Sequence, residues 1–145
     1  LLMIDGLKIT KLKIINNPKG NVLHGLKKND NGFMGFGEVY FSTIKKNEIK
    51  PWKKHLKMTL NLIVPIGEIK FVIFDDRKSS KTKSSYYQIN LSVNNYHRIT
   101  IPPNLWVAFK GLGKHNLLMN LANIEHDPTE IIRCNLEKYP YNWNK

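Results

Sequence analysis

The chain has 145 residues, of which 41% are hydrophobic, and this length and composition suit one globular domain and exclude a disordered chain. Its formal net charge of +12 favours anionic partners: nucleotide diphosphates, nucleic acids or acidic membranes. No apolar run approaches the ~18 residues of a membrane-spanning helix, so we expect no membrane partner. The first residues lack a basic leader followed by a long apolar stretch, and we expect no secretion signal. Cys134 is the only cysteine, which excludes an internal disulfide and is typical of a cytoplasmic protein.

The lysines are dispersed along the chain, with short clusters within residues 8–13, 45–57 and 78–83. They form no stripe along one helix, and no recognition-helix or RNA-binding motif is visible, so we expect no specific nucleic-acid partner. Dispersed lysines would give only nonspecific, salt-sensitive binding to nucleic acid. Most of this charge is typical of a solvated surface.

Strand patterns dominate from the N-terminus onwards. Apolar and polar residues alternate over 7–15, and a turn with Asn, Pro and Gly follows at 16–20. Further strands are predicted at 36–44, 58–64, 68–76, 86–91, 96–101, 106–110 and 117–122. Residues 77–85 are polar and predict a mobile surface loop. Residues 127–133 predict one short helical turn, with Asp127 as its cap and Pro128 at its first position.

About eight short strands with frequent turns and hardly any helix predict an all-β sandwich or barrel. The rival architecture is an immunoglobulin-like sandwich, which would be expected to carry a pair of cysteines beside a tryptophan, and the chain has one cysteine only. No repeat or linker divides the sequence, so residues 1–145 are predicted to form a single domain.

Polar and apolar residues alternate over 55–61, and this pattern indicates a candidate ligand site. His55, Lys57, Thr59 and Asn61 alternate with leucine and methionine, so in a continuous strand the four polar side chains share one face. A polar face turned into a small barrel indicates a ligand cavity. The alternative is a strand whose polar face is turned to solvent.

Two segments resemble the two motifs of the cupins, which are small antiparallel jelly-roll barrels. The first, residues 52–69, contains His55 and a Pro-Ile-Gly turn, and the second, 96–106, contains Ile-Pro-Pro. Residues 36–40 resemble a Phe-Phe-Glu-Ser-Tyr segment, and 101–109 resemble Ile-Pro-Pro-Gly-x-x-His-Gly-Phe, of the RmlC-like cupins. This branch holds the dTDP-4-dehydrorhamnose 3,5-epimerases and the dTDP-sugar 3,4-ketoisomerases. The resemblance implies an all-β, single-domain jelly-roll β-barrel.

The resemblance also implies a site. It places the family's catalytic base at His55, and imidazole titrates in the range that proton abstraction next to a ketone needs. Lys57 is predicted to stabilise the enolate, and Tyr40 to donate a proton or stack on the nucleotide base. Glu38 falls on an acid that contacts this base. The predicted substrate-binding residues are Glu38, Lys53, Thr59, Asn61, Arg77, Arg98 and Asn120, with the two arginines suited to a diphosphate.

Several residues of the family are missing. Lys57 and Val107 occupy positions of metal-binding histidines in other cupins, and one histidine cannot hold a transition metal, so we expect a metal-independent protein without a cofactor. The family's catalytic lysine falls at Leu60, its general-acid tyrosine at Asn120, and a nucleotide-binding arginine at Trp52. We also expect no counterpart of the aspartate that orients the histidine, because it lies in a C-terminal extension of the family.

The leading hypothesis is a homodimeric epimerase or isomerase that acts on a dTDP-4-keto-6-deoxyhexose in surface-polysaccharide synthesis, by proton abstraction α to the ketone. The alternative is a non-catalytic cupin that binds a nucleotide sugar or a glycan intermediate, which the missing residues favour. The leading hypothesis predicts a nucleotide-diphosphate sugar as the partner, and the alternative predicts either this or a glycan intermediate.

Overall fold

Strands of alternating or wholly apolar residues form two facing antiparallel sheets in the computed structural model, which describes residues 3–145. The strands are β1 (Lys8–Lys11), β2 (Ile14–Ile15), β3 (Val22–Leu23), β4 (Glu38–Thr43), β5 (Ile49–His55), β6 (Leu60–Ile66), β7 (Glu68–Phe74), β8 (Tyr86–Ser92), β9 (His97–Ile101), β10 (Trp106–Gly111), β11 (Leu117–Ala122) and β12 (Ile131–Arg133). Short 3-10 helices span Pro128–Glu130 and Leu136–Lys138. Within residues 3–145, no helix has the length and apolar character needed to cross a membrane.

The chain crosses repeatedly from one sheet to the other. The first sheet has the strand order β1-β9-β6-β11-β4 and the second the order β12-β5-β10-β7-β8. Successive strands from β4 to β7, and again from β8 to β12, lie in opposite sheets, which is the jelly-roll arrangement. Strands β4 and β5 are therefore adjacent in sequence but belong to opposite walls of the barrel. The β2–β3 hairpin forms a separate ribbon.

Apolar side chains from every second position fill most of the space between the sheets. Leu60, Leu62 and Val64 of β6 share a buried cluster with Phe71 and Ile73 of β7. Full burial of one such side chain stabilises the fold by about 1.5–3 kcal/mol. The close packing of these residues gives rigid walls to the part of the interior that stays open.

The outer face of the second sheet is covered by the chain's own C-terminal segment, residues 134–145. Trp52 and Phe74 are buried there against Tyr139 and Trp143. The indole N–H of Trp52 donates to the carbonyl oxygens of Leu136, at 3.3 Å, and Tyr139, at 3.2 Å. Because this segment follows β12 directly, its packing also fixes β12 at the edge of the sheet.

The predicted strand regions all contain strands, but the bounds of some strands differ from the prediction. The strand predicted over 7–15 is interrupted, and its ends form β1 and β2 in different sheets. The helical turn predicted near Asp127 is present, with the Asp127 side chain accepting the Thr129 N–H and Pro128 as its first residue. Residues 131–133, which were assigned to the same turn, form strand β12 instead, because they pair with β5.

The loop after β7 is ordered by one buried carboxylate. Asp75 is fully buried and accepts hydrogen bonds from Arg77 Nε at 2.9 Å, Ser80 Oγ at 2.6 Å and Thr82 Oγ1 at 2.7 Å. Arg77 Nη2 also donates to the backbone oxygen of Asp5 at 2.7 Å. The surface loop predicted over 77–85 is present, and its polar residues satisfy a buried charge.

The first testable consequence concerns Asp75→Asn. Burial alone would raise the pKa of Asp75, but the hydrogen bonds from Arg77, Ser80 and Thr82 lower it far below its ordinary value. A carboxylate with a depressed pKa stabilises the fold above the pKa of the unfolded chain, about 3.9, and this contribution is lost as the pH falls further. We expect Asp75→Asn to lower the free energy of unfolding at pH 7 by about 3 kcal/mol and to weaken its decline below pH 4.

Urea unfolding at pH 7 and pH 3 measures this effect, with the exposed Asp5→Asn as the matched control. Equal unfolding free energies of the two variants at pH 7 would contradict the assignment of Asp75 as the group that orders the loop.

Candidate active site

A cavity of about 290 Å³ opens between the two sheets, close to the lower end of the range for small-molecule sites, about 300 Å³. The first sheet contributes Tyr40, Ser42, Leu60, Leu62, Leu118 and Asn120 to its lining. The second sheet contributes Lys50, Pro51, Trp52, Lys53, His55, Val107, Phe109 and Arg133. The lining is mainly apolar, and its polar residues other than Ser42 fall into three sets, the first of which includes Glu130 behind the lining.

The first set is a buried pair of His55 and Glu130. His55 is the last residue of β5, and it lies opposite Ile131, the first residue of β12, so Glu130 comes beside the imidazole. The distance between His55 Nδ1 and Glu130 Oε2 is 2.5 Å, and both side chains are almost fully buried. Glu130 Oε1 also accepts the backbone N–H groups of Lys57 and Met58, each at 2.9 Å.

The environment of this pair favours a neutral imidazole beside an ionised carboxylate. Burial lowers the pKa of His55, and the hydrogen bond and charge of Glu130 offset part of this shift. For Glu130, burial alone would raise the pKa, but the N–H groups of Met58 and Lys57 and the contact with His55 lower it below its ordinary value. His55 Nδ1 thus donates its proton to Glu130, and Nε2 keeps a lone pair that can accept one.

The second set, Tyr40 and Asn120, lies on the opposite wall. The two residues face each other across the β4–β11 pair, and Asn120 Nδ2 donates to Tyr40 Oη at 2.9 Å. Asn120 Oδ1 accepts the backbone N–H of Asn61 at 3.1 Å, which fixes the orientation of the amide. Burial raises the pKa of Tyr40, the hydrogen bond from Asn120 lowers it by less, and the charges of Glu38 and Glu130 raise it further, so its hydroxyl stays protonated at neutral pH.

The third set is a cationic cluster of Lys50, Lys53 and Arg133. Arg133 of β12 lies opposite Lys53 of β5, and Lys50 precedes Lys53 on the same strand. Burial lowers the pKa of Lys53, and the positive charges of Arg133 and Lys50 add to this effect. Three cations beside one cavity can bind a dianionic or trianionic group such as a diphosphate.

Four of the predicted site residues line this cavity: Tyr40, Lys53, His55 and Asn120. Lys57, Thr59 and Asn61 do not, because β5 ends at His55 and β6 begins at Leu60. The interruption reverses the alternation, so leucines 60 and 62 face the cavity, and the predicted polar inner face is wrong. Asn61 instead contacts Gly32 and Thr100, while the Thr59 N–H donates to Asn123.

The other three predicted residues lie elsewhere. Glu38 accepts the backbone N–H of His126 at 2.9 Å and is outside the lining of the cavity. Arg77 is held by Asp75, as described above. Arg98 is fully buried and donates to the carbonyl oxygens of Gly25, at 2.7 Å, and Asn31, at 3.0 Å. The two arginines therefore hold loops in place, and neither contacts the cavity.

Glu130, Lys50 and Arg133 are functional candidates that were missed. Glu130 ends the turn that begins at Asp127, but its partner His55 is 75 positions away, so only the folded chain joins them. The sequence predicted no acid that orients the histidine, whereas in the structure Glu130 contacts His55 Nδ1. Within residues 3–145, no group of three or more His, Cys, Asp or Glu side chains is arranged to hold a metal ion.

No protein-family model matches the chain. A solved structure of a dTDP sugar isomerase from Desulfovibrio desulfuricans G20 is 32% identical, with a TM-score of 0.93, and the match covers 97% of this chain and 92% of that one. The probable low-salt glycan biosynthesis epimerase Agl13 of Haloferax volcanii is 29% identical over 111 residues, which are 72% of this chain and 71% of that protein. The spore coat polysaccharide biosynthesis protein SpsL of Bacillus subtilis is 25% identical over 147 aligned residues, covering 98% of this chain and 97% of that protein.

The similarity to the dTDP sugar isomerase agrees with the two-sheet fold described above. The identity to the dTDP sugar isomerase extends over nearly the whole of both chains, and the two backbones superpose closely. The predicted all-β jelly-roll fold is confirmed by this match and by the two crossing sheets. The chain belongs to the RmlC-like cupin family, which includes dTDP-sugar isomerases and epimerases.

Proposed function

We propose that this protein is a nucleotide-sugar epimerase or isomerase that removes a proton α to the ketone of a dTDP-4-keto-6-deoxyhexose. The observation that carries the proposal is the buried His55–Glu130 pair on the wall of a cavity that also holds three cations. The dTDP sugar isomerase supports the substrate class. The two relatives in glycan and polysaccharide biosynthesis support a role in the synthesis of a surface polysaccharide.

The chemistry begins at His55. Its Nε2 accepts the proton from the carbon next to the ketone, and the C–H electron pair becomes the double bond of an enolate. Glu130 holds the imidazole through Nδ1 and stabilises the imidazolium that forms. Because the pair is buried, this electrostatic effect is stronger than it would be in water.

The cations divide between two tasks in this proposal. Lys53 lies two residues before His55 on the same strand face, about 7 Å away. The positive charge of Lys53 lowers the pKa of His55, and the negative charge of Glu130 raises the pKa of Lys53. In this proposal Lys53 stabilises the enolate oxygen, the role that was predicted for Lys57. Lys50 and Arg133 bind the diphosphate.

Lys53, Tyr40 and Glu130 weigh against a non-catalytic binding protein. That alternative was favoured by the loss of the family's lysine, tyrosine and orienting aspartate at their usual positions. Lys53 and Tyr40 line the cavity, and Glu130 contacts its His55, so the same functional groups are supplied from other positions. We therefore place the catalytic function first.

We further propose that the reaction needs no metal ion and takes place in the cytoplasm. His55 is the one imidazole among the described residues that line the cavity, and its Nδ1 is bound to Glu130. A single cysteine, Cys134, and a nucleotide-linked substrate are in keeping with a cytoplasmic location.

A homodimer is also proposed. Strand β4 is an edge of the first sheet, and its outer face exposes Val39 and Phe41, 42% and 60% accessible, beside Met119 and Leu121 of β11. Edge strands with apolar faces pair readily with another chain. A second copy related by a two-fold axis would cover the same patch on both subunits.

The catalytic prediction concerns His55→Asn and Glu130→Gln. With dTDP-4-keto-6-deoxyglucose in D2O, proton NMR should show deuterium at C3 or C5 for the wild-type protein and none for His55→Asn. We expect Glu130→Gln to lower kcat about 100-fold or more, since the imidazole loses its orienting carboxylate. His115→Asn, an exposed histidine, is the matched control.

The pH profile gives a second readout of the same step. Since burial lowers the pKa of His55, the neutral base persists below pH 6.5, and kcat/KM should fall only on further acidification. Wild-type exchange that survives in His55→Asn would exclude His55 as the base. A wild-type protein that binds dTDP without any exchange would favour the non-catalytic alternative.

The diphosphate prediction concerns Arg133→Ala. Removal of this guanidinium should weaken dTDP binding about ten-fold, because a charge-assisted hydrogen bond contributes about 1.5 kcal/mol or more. Isothermal titration calorimetry with dTDP measures the change. Lys138→Ala removes an exposed charge of the same C-terminal segment and should leave the affinity unchanged. Equal affinities of the two variants would remove Arg133 from the binding site.

The dimer prediction concerns Phe41→Lys. A charge on the exposed face of β4 should convert a wild-type dimer into a monomer, since burial of an unpaired ammonium is unfavourable. Sedimentation velocity measures the change. Ile15→Lys, which places the same charge on another exposed apolar position, should remain dimeric. A wild-type protein that sediments as a monomer would contradict the proposed homodimer.

A further inference from the structure

The wall that faces His55 carries its own proton donor. Epimerisation requires that a proton leaves one face of a ring carbon and that another arrives at the opposite face. His55 belongs to β5 in the second sheet, so a donor to the opposite face must come from the first sheet. The first-sheet residues that line the cavity are Tyr40, Ser42, Leu60, Leu62, Leu118 and Asn120. Among them, only Tyr40 has a side chain that can act as an acid.

The hydrogen bonds around Tyr40 leave its own proton free. Asn120 Oδ1 accepts the N–H of Asn61, so the amide must turn Nδ2 towards the phenol oxygen, to which it donates at 2.9 Å. Among residues 3–145, the Tyr40 hydroxyl proton has only the Met58 sulfur as a partner, at 3.9 Å, and a thioether is a weak acceptor. Asn120 therefore fixes the Tyr40 oxygen by donating to it, and the Tyr40 proton remains available to a stronger acceptor.

Met58 also connects this wall to the base. Its sulfur contacts both Tyr40 and Asn120, while its backbone N–H donates to Glu130, the partner of His55. Base and donor therefore lie at the same end of the cavity. Leu60 and Leu62 line the same cavity and contribute apolar surface to it.

We propose that Tyr40 delivers a proton to the sugar carbon on the face opposite His55 and that Asn120 is the positioning residue for its hydroxyl. The assignment rests on the proposed function. The Tyr40 O–H bond breaks as the new C–H bond forms from the enolate electron pair, which leaves a tyrosinate on one wall and an imidazolium on the other. Loss of one proton to solvent by His55 and uptake of one by Tyr40 restore the starting state.

Tyr40→Phe tests the donor. With dTDP-4-keto-6-deoxyglucose in D2O, this variant should lose epimer formation about 100-fold or more, while recovered substrate still acquires deuterium with its configuration unchanged, through His55. Tyr87→Phe, which alters a half-buried tyrosine packed against the same core outside the cavity, is the matched control and should behave as the wild-type protein. Calorimetry with dTDP and a thermal melt check that each variant is folded.

Two results with Tyr40→Phe would overturn the assignment. Epimer formation within a few-fold of the wild-type rate would show that the proton comes from elsewhere. Loss of deuterium uptake together with epimer formation, in a folded variant that binds dTDP, would show that Tyr40 acts at or before proton removal. Failure of the proposed function looks different, because the wild-type protein itself would then show neither exchange nor epimer.

Asn120→Ala tests the positioning role by a readout that a loss of packing would not produce. The Asn120 hydrogen bond lowers the pKa of Tyr40, against the effects of burial and of Glu38 and Glu130, so its removal should shift the alkaline limb of the kcat profile to higher pH. We expect kcat to fall about ten-fold with KM nearly unchanged. An alkaline limb at the wild-type pH would separate Asn120 from the donor and overturn its assignment.

Discussion

The buried carboxylate of Glu130 is the group around which the site is organised. It accepts two backbone N–H groups from the connection between β5 and β6, and it contacts His55 at the end of β5. A buried charge is stable only when it is fully hydrogen-bonded, so the turn, the strand end and the imidazole must take up one mutual arrangement. The same carboxylate that holds the β5–β6 connection therefore also favours the tautomer of His55 with its proton on Nδ1.

Opposite walls with different chemistry follow from the strand order. Because β4 and β5 lie in different sheets, Tyr40 and His55 enter the cavity from opposite sides, Tyr40 bound to Asn120 and His55 to Glu130. The cations come from β5 and from the neighbouring β12, so the second sheet holds both the base and the charges that attract a diphosphate. Packing of residues 134–145 on the outer face of this sheet supports that arrangement from behind.

The fold was readable from the sequence to a large extent, and the site only in part. Alternating residues located most strands, because a half-buried strand requires that pattern. His55 was found through its resemblance to a family motif. The inner face of β6 was assigned wrongly, since a break between His55 and Leu60 shifts the alternation by one and turns Asn61 away from the cavity. Local periodicity contains no signal for such a break.

The sequence by itself determined the all-β class, the approximate strands and the histidine, because each depends on residues close together in the chain. Only the tertiary structure decided which groups act together. Glu130 reaches His55 from 75 positions away, and Asn120 reaches Tyr40 from 80. The physical reason is that a buried polar group takes its partner from whatever strand the topology places beside it, and strand pairing in a jelly roll joins segments that are distant in sequence.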